Sequence, residues 1–63
     1  MLLPCPYCKG KPKLIRVGNY KEHIVYICSD CYRTPVHYDE ASLSIVQATR
    51  IWNMRTYEVF NKM

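Results

Sequence analysis

All four cysteines of the chain stand in two C-x-x-C units, Cys5-Pro6-Tyr7-Cys8 and Cys28-Ser29-Asp30-Cys31. Thiolates at this spacing are metal ligands. A C-x-x-C turn aims two sulfurs at one point, and its amides can donate hydrogen bonds to them. Two such turns supply the four ligands of a tetrahedral Zn²⁺. The expectation is one structural zinc ion held by Cys5, Cys8, Cys28 and Cys31. Three other uses of the same thiols stay open: a rubredoxin-like iron site, disulfides, and a free-thiol redox role.

Four cysteine ligands leave no position for water, so such a site is structural and not catalytic. The rest of the chain agrees. It has no Ser/His/Asp arrangement with a local signature, no glycine-rich phosphate loop and no carboxylate pair with an evident role. Asp39 and Glu40 are adjacent, but a helix cap accounts for them. His23 and His37 fall in predicted strands and read as ordinary sheet histidines. No enzymatic activity is expected.

The elements that position the cysteines follow from pattern. Pro4 and Pro6 restrict the backbone on both sides of Cys5, and Gly10 allows the turn that leaves the first knuckle. Lys13–Val17 reads as a strand, Gly18-Asn19 as a turn, and Lys21–Cys28 as a second strand rich in β-branched and aromatic residues. In that strand Ile24 and Tyr26 point to one face, Val25 and Ile27 to the other, as in a strand covered on both sides. Thr34–Tyr38 reads as a third strand, with Pro35 at its start or on an edge. Asp39 is the expected N-cap of a helix from residue 40 to about residue 58. At helical spacing Ala41, Ile45, Ala48, Trp52 and Val59 form one stripe, predicted to pack on the sheet. Leu43, Val46, Met54 and Tyr57 lie roughly opposite, a face free for a partner or a second copy.

The predicted fold class is therefore small α+β: a zinc ribbon with a two- to three-stranded antiparallel sheet, two knuckles and one C-terminal helix. Its 63 residues form one domain, with knuckles and sheet over 4–38, helix over 39–59 and a tail over 60–63. A chain this short buries only about 60% of its unfolded surface, so a metal staple would add needed folding energy.

The formal charge is +4. Four thiolates around one Zn²⁺ lower it to about +2. That excludes imitation of DNA, which needs a strongly acidic surface. It permits contact with nucleic acid. Lys9, Lys11, Lys13, Arg16 and Lys21 form the densest charge, with Tyr7, Tyr20 or Tyr32 as stacking surfaces. The plainer use of these cations is a solvated hairpin that offsets the thiolate charge. No segment has the roughly 20 apolar residues that cross a bilayer. Met1-Leu2-Leu3 stops at Pro4 without the regions of a signal peptide. A cytoplasmic protein with reduced thiols is expected, which favours metal over disulfides.

Leu3-Pro4-Cys5-Pro6-Tyr7-Cys8, Gly10, the Cys28-x-x-Cys31 pair and Ala48-x-x-x-Trp52-Asn53-x-Arg55 together resemble the Lar-like restriction alleviation family. These are small zinc-ribbon proteins of phages and prophages. The pattern runs through residues 3–55. The family's opening reads L-x-P-C-P-F-C-G-G and its closing A-W-N-x-R. This chain departs from it at Tyr7 for Phe, Lys9 for Gly, Tyr32 for Gly and Ile51 for Ala. Lys9 and Tyr32 alter the knuckle rims. The resemblance implies an interaction module that tilts a host type I restriction-modification system toward methylation. Its partner would be the modification enzyme. Trp52, Asn53 and Arg55 are expected to be structural, tying the helix end to the ribbon.

Overall fold

The structure, a computed structural model, describes residues 2–18 and 22–62, without the side chain of Tyr38. It has the expected class: one antiparallel hairpin, β1 (Pro12–Val17) and β2 (His23–Cys28), followed by one long helix, α1 (Ile45–Asn61). The register runs from Pro12 opposite Cys28 to Val17 opposite His23. Ile15 faces Val25 and Leu14 faces Tyr26. A slip of one residue would turn both apolar sets to the wrong face. This register returns Cys28 to the foot of β1, beside the first knuckle. Gly18, with φ of 98°, begins the connection. Asn19, Tyr20 and Lys21 lie outside the described residues, and with them the rest of the predicted turn and the predicted start of the second strand.

The third strand expected over Thr34–Tyr38 does not form. Pro35 has no N–H to give a ladder, and the outer edge of β2 is satisfied piecemeal instead. Ser42 makes an isolated bridge, with Ile24 N–H donating to its carbonyl at 2.7 Å and its own N–H donating back at 3.0 Å. The Thr34 hydroxyl donates to the Tyr26 carbonyl at 2.9 Å. The Cys28 N–H donates to the Arg33 carbonyl at 2.9 Å. Three separate residues thus do what a strand was expected to do. His37 accordingly lies outside any strand, while His23 opens β2.

The helix start is also corrected. Asp39 is not its N-cap; Tyr38–Glu40 form a short 3-10 turn. The cap is Ser44, extended at φ −128° and ψ 146°, whose hydroxyl accepts from Gln47 N–H at 3.1 Å. Ser44-Ile45-Val46-Gln47 is a capping-box pattern, and it is stronger than an isolated Asp-Glu pair. The helix runs on to Asn61, so it takes in part of the expected tail.

Moving the start changes the buried stripe. Ala48, Trp52 and Thr56 are the buried residues of α1. Ala41 packs on the core from the segment before the helix. Ile45, expected on the stripe, is 58% exposed in the first turn. The core joins Trp52 and Ala48 to Cys5, Val25, Tyr26, Cys28 and Val36. Trp52 and Tyr26 meet with ring centroids 6.2 Å apart, tilted by 58°, a favourable aromatic geometry. Two core residues are cysteines, so the core and the cysteine cluster are one body.

Candidate metal centre

Each knuckle is built by the same backbone hydrogen bonds. Lys9 N–H donates to the Cys5 carbonyl and Cys5 N–H to the Gly10 carbonyl, both at 2.9 Å. Tyr32 N–H donates to the Cys28 carbonyl at 3.1 Å and Cys28 N–H to the Arg33 carbonyl at 2.9 Å. The turn therefore closes at the residue after each second cysteine. Closure forces that residue into the left-handed region, with φ of 63° at Lys9 and 58° at Tyr32. The prediction for Gly10 is corrected here. Its φ is not left-handed; what lies against it is the Asp30 side chain of the other knuckle. A Cβ on Gly10 would run into the Asp30 carboxylate and lie 3.0 Å from Asp30 Cβ. The knuckles are further tied by Ser29, whose N–H and hydroxyl both donate to the Lys11 carbonyl, at 2.9 and 2.8 Å.

The result is a cluster. The four Sγ atoms lie within 4.8 Å of one another. Across the knuckles Cys8 and Cys28 approach to 3.3 Å, Cys5 and Cys31 to 3.7 Å. A tetrahedral ion with metal–sulfur bonds of about 2.3 Å implies sulfur–sulfur separations of about 3.8 Å. Disulfides need about 2.05 Å, and all four cysteines are unbridged. Amides point at the sulfurs: Tyr7 N–H to Cys5 Sγ at 3.4 Å, and Asp30 and Cys31 N–H to Cys28 Sγ at 3.3 and 3.4 Å. Such bonds stabilise thiolates. The donor set fits a metal ion.

The proton affinities show how crowded the sulfurs are. Burial pushes the Cys5 thiol up. Burial also opposes ionisation of Cys28, but the Cys31 and Asp30 amides and the neighbouring thiols outweigh it, and its pKa falls to about 6. The Gly10 amide favours the Cys8 thiolate, yet its hydrogen bond with Cys28, burial and the remaining thiols drive it up to about 12. One sulfur ionises at its neighbours' expense. A divalent cation removes that competition, because it holds all four as thiolates.

The other predicted residues fall in distinct places. Trp52 Nε1–H donates to the Leu3 carbonyl and Leu3 N–H donates to Asn53 Oδ1, both at 2.8 Å. Helix and N-terminal segment are thus stitched just ahead of Cys5. Arg55 reaches the 3-10 turn, where its Nε lies 3.1 Å from both Glu40 oxygens and its Nη2 also contacts Glu40. Its Nη1 bonds Glu58 at 3.0 Å. Arg55 holds the Glu40 carboxyl below the usual carboxylate range, helped by the His37 N–H. Leu43, Val46, Met54 and Tyr57 are all exposed, though Leu43 precedes the helix.

The basic set divides. Lys9, Lys11 and Lys13 belong to the knuckle end, whereas Arg16 lies three residues further along β1, about 10 Å away at strand rise. Lys21 and the proposed stacking ring of Tyr20 fall outside the described residues. Lys13 Nζ stands 4.9 Å from the centroid of the Tyr32 ring. Arg33, which the sequence reading missed, stands 5.9 Å from that of Tyr7. Nothing in the spacing of the chain signals this; it follows from the way the two knuckles meet.

The fold and the cysteine cluster define a zinc-ribbon class of protein: a hairpin, two knuckles and a packed helix. Comparisons with protein-family models, curated proteins and solved structures return no match. Among the described residues no helix is long and apolar enough to cross a membrane.

Proposed function

We propose that this protein is a non-enzymatic interaction module closed by one structural Zn²⁺. The observation that carries the reading is the use of all four cysteines in a single cluster. A four-thiolate shell is coordinatively full, so the metal supplies folding energy and no reactive position. Metal analysis of protein purified from cells tests this. One zinc per chain is expected; one iron with a visible thiolate absorption replaces zinc by a rubredoxin-like centre.

We propose further that the module acts in restriction alleviation, biasing a host type I restriction-modification system toward methylation. The support is the residue pattern from Leu3 to Arg55. The geometry gives that pattern a physical sense, because Trp52, Asn53 and Arg55 anchor the helix to the N-terminal segment and the 3-10 turn. The partner would be the modification enzyme, docked on Leu43, just ahead of the helix, and on the outer side of the helix through Val46, Met54 or Tyr57, a face that also offers self-association. Expression in a restricting host should raise the plating of unmodified phage, and affinity capture should recover a subunit of the enzyme. Unchanged plating together with capture of no host protein rejects the reading. Sedimentation separates the homodimer from the monomer.

A further inference from the structure

Lys9 and Tyr32 are the anomaly of this fold. Both hold a left-handed φ in positions that glycine would occupy without strain. Neither supplies apolar surface to the core: Lys9 is exposed and Tyr32 is 67% exposed. Strain retained for an exposed side chain points to a role outside the fold.

What surrounds them gives the role a chemistry. Tyr32 and Arg33 are consecutive. Lys13 covers Tyr32, and Arg33 covers Tyr7. The rim therefore carries two cation-on-ring pairs, joined by the chain at Tyr32-Arg33. Tyr7 remains 44% exposed under Arg33. Lys9 and Lys11, also exposed, extend the cations along the first knuckle. The acid at this end is Asp30; Glu22 stands just before β2 at the far end of the hairpin, and Asp39, Glu40 and Glu58 belong to the 3-10 turn and the helix.

We propose that this rim, formed by Tyr7, Lys9, Lys11, Lys13, Tyr32 and Arg33, binds single-stranded nucleic acid. The two rings offer stacking faces to unpaired bases, and the interleaved cations contact the phosphates between them. Stacked duplex does not present base faces to such rings, and the carboxylates of an acidic peptide are not drawn to the negative faces of the rings. This surface lies on the metal-closed knuckles and does not depend on the restriction reading.

The test titrates the metal-loaded full chain against a fluorescein-labelled ten-nucleotide deoxythymidine strand at low salt, read by anisotropy. Trp52, fully buried, reports by its fluorescence that each variant is folded. Binding that weakens with salt is expected. Tyr32→Leu should weaken it about tenfold with an unchanged salt slope, and Tyr32→Phe should bind as the wild type does. Arg33→Gln should make the logarithmic salt slope shallower by about 0.7. Tyr32→Gly, which removes strain and ring together, should stay folded and bind weakly. Absence of binding at low salt overturns the proposal. So does binding insensitive to both Tyr7→Leu and Tyr32→Leu, which reduces the rim to charge alone. Duplex DNA or an acidic peptide competing as well as the single strand overturns it too.

Discussion

At the two residues that close the knuckles, Lys9 and Tyr32, backbone strain and side-chain contacts pull in different directions. A left-handed non-glycine residue costs on the order of 1–2 kcal/mol. Glycine relieves that but gives up about 0.5–1 kcal/mol in chain entropy. Lys9→Gly should therefore stabilise the metal-loaded protein by about 0.5 kcal/mol. Tyr32→Gly also loses the contact with Lys13, about 0.5 kcal/mol at an exposed site, and should be nearly neutral. Chemical denaturation at fixed free zinc measures both. A loss above about 1 kcal/mol at Lys9 would show that the αL position carries no strain to relieve. A second residue-level effect concerns pH. Arg55 and the His37 N–H depress the Glu40 pKa, so the folded state binds its proton less readily than the unfolded chain. The contribution is fully present above the unfolded value of about 4.3 and is lost as pH falls through the lower folded value. The difference in stability between wild type and Glu40→Gln, measured in saturating metal, should be constant from neutral pH down to about 5 and shrink below it. A difference that grows in acid contradicts the sign.

At the level of elements, the helix is set by one cap and one stitched face. Ser44→Ala removes the acceptor of the Gln47 N–H and should cost about 1 kcal/mol. Asp39→Ala should cost much less, since Asp39 caps no part of α1. Equal effects in thermal melts would restore the earlier helix start. Thr56 is fully buried and its hydroxyl has no partner among the described residues. Thr56→Val keeps the shape and removes the unsatisfied group, so a gain of about 1 kcal/mol is expected. The helix was legible because Ala48 and Trp52 fall on one stripe and the hairpin because β-branched and aromatic residues crowd Ile24–Ile27. The third strand over Thr34–Tyr38 did not form because Pro35 cannot donate to a ladder, and local pattern says nothing of how the open edge of β2 is filled. Ser42, Thr34 and Arg33 satisfy that edge from three separate points in the chain. The helix start differs because Ser44, not Asp39, caps α1, with the 3-10 turn Tyr38–Glu40 standing apart before it.

For the whole molecule, core and cluster share residues. Cys5 and Cys28 are fully buried within the cluster that holds Trp52 and Tyr26. Removing the metal should therefore disrupt more than the knuckles. Chelation is expected to abolish the cooperative thermal transition and shift the Trp52 emission to the red, with zinc restoring both. Unchanged circular dichroism and emission after complete zinc removal would show that the apolar core stands alone. Acid should act in the same direction, because the ligands must be deprotonated to bind. Metal release should therefore rise as pH falls, in step with unfolding.

The residue order by itself determined the four-cysteine cluster and the fold class. Four cysteines in two C-x-x-C turns admit few other uses, and a hairpin followed by an amphipathic helix is what local pattern reports well. The sequence did not reveal the contacts between parts distant in the chain. Only the folded chain placed Asp30 against Gly10, Glu40 against Arg55, Leu3 against Trp52 and Asn53, and Arg33 over Tyr7. Those pairs depend on how the knuckles and the helix meet in space, which no periodicity along the chain encodes.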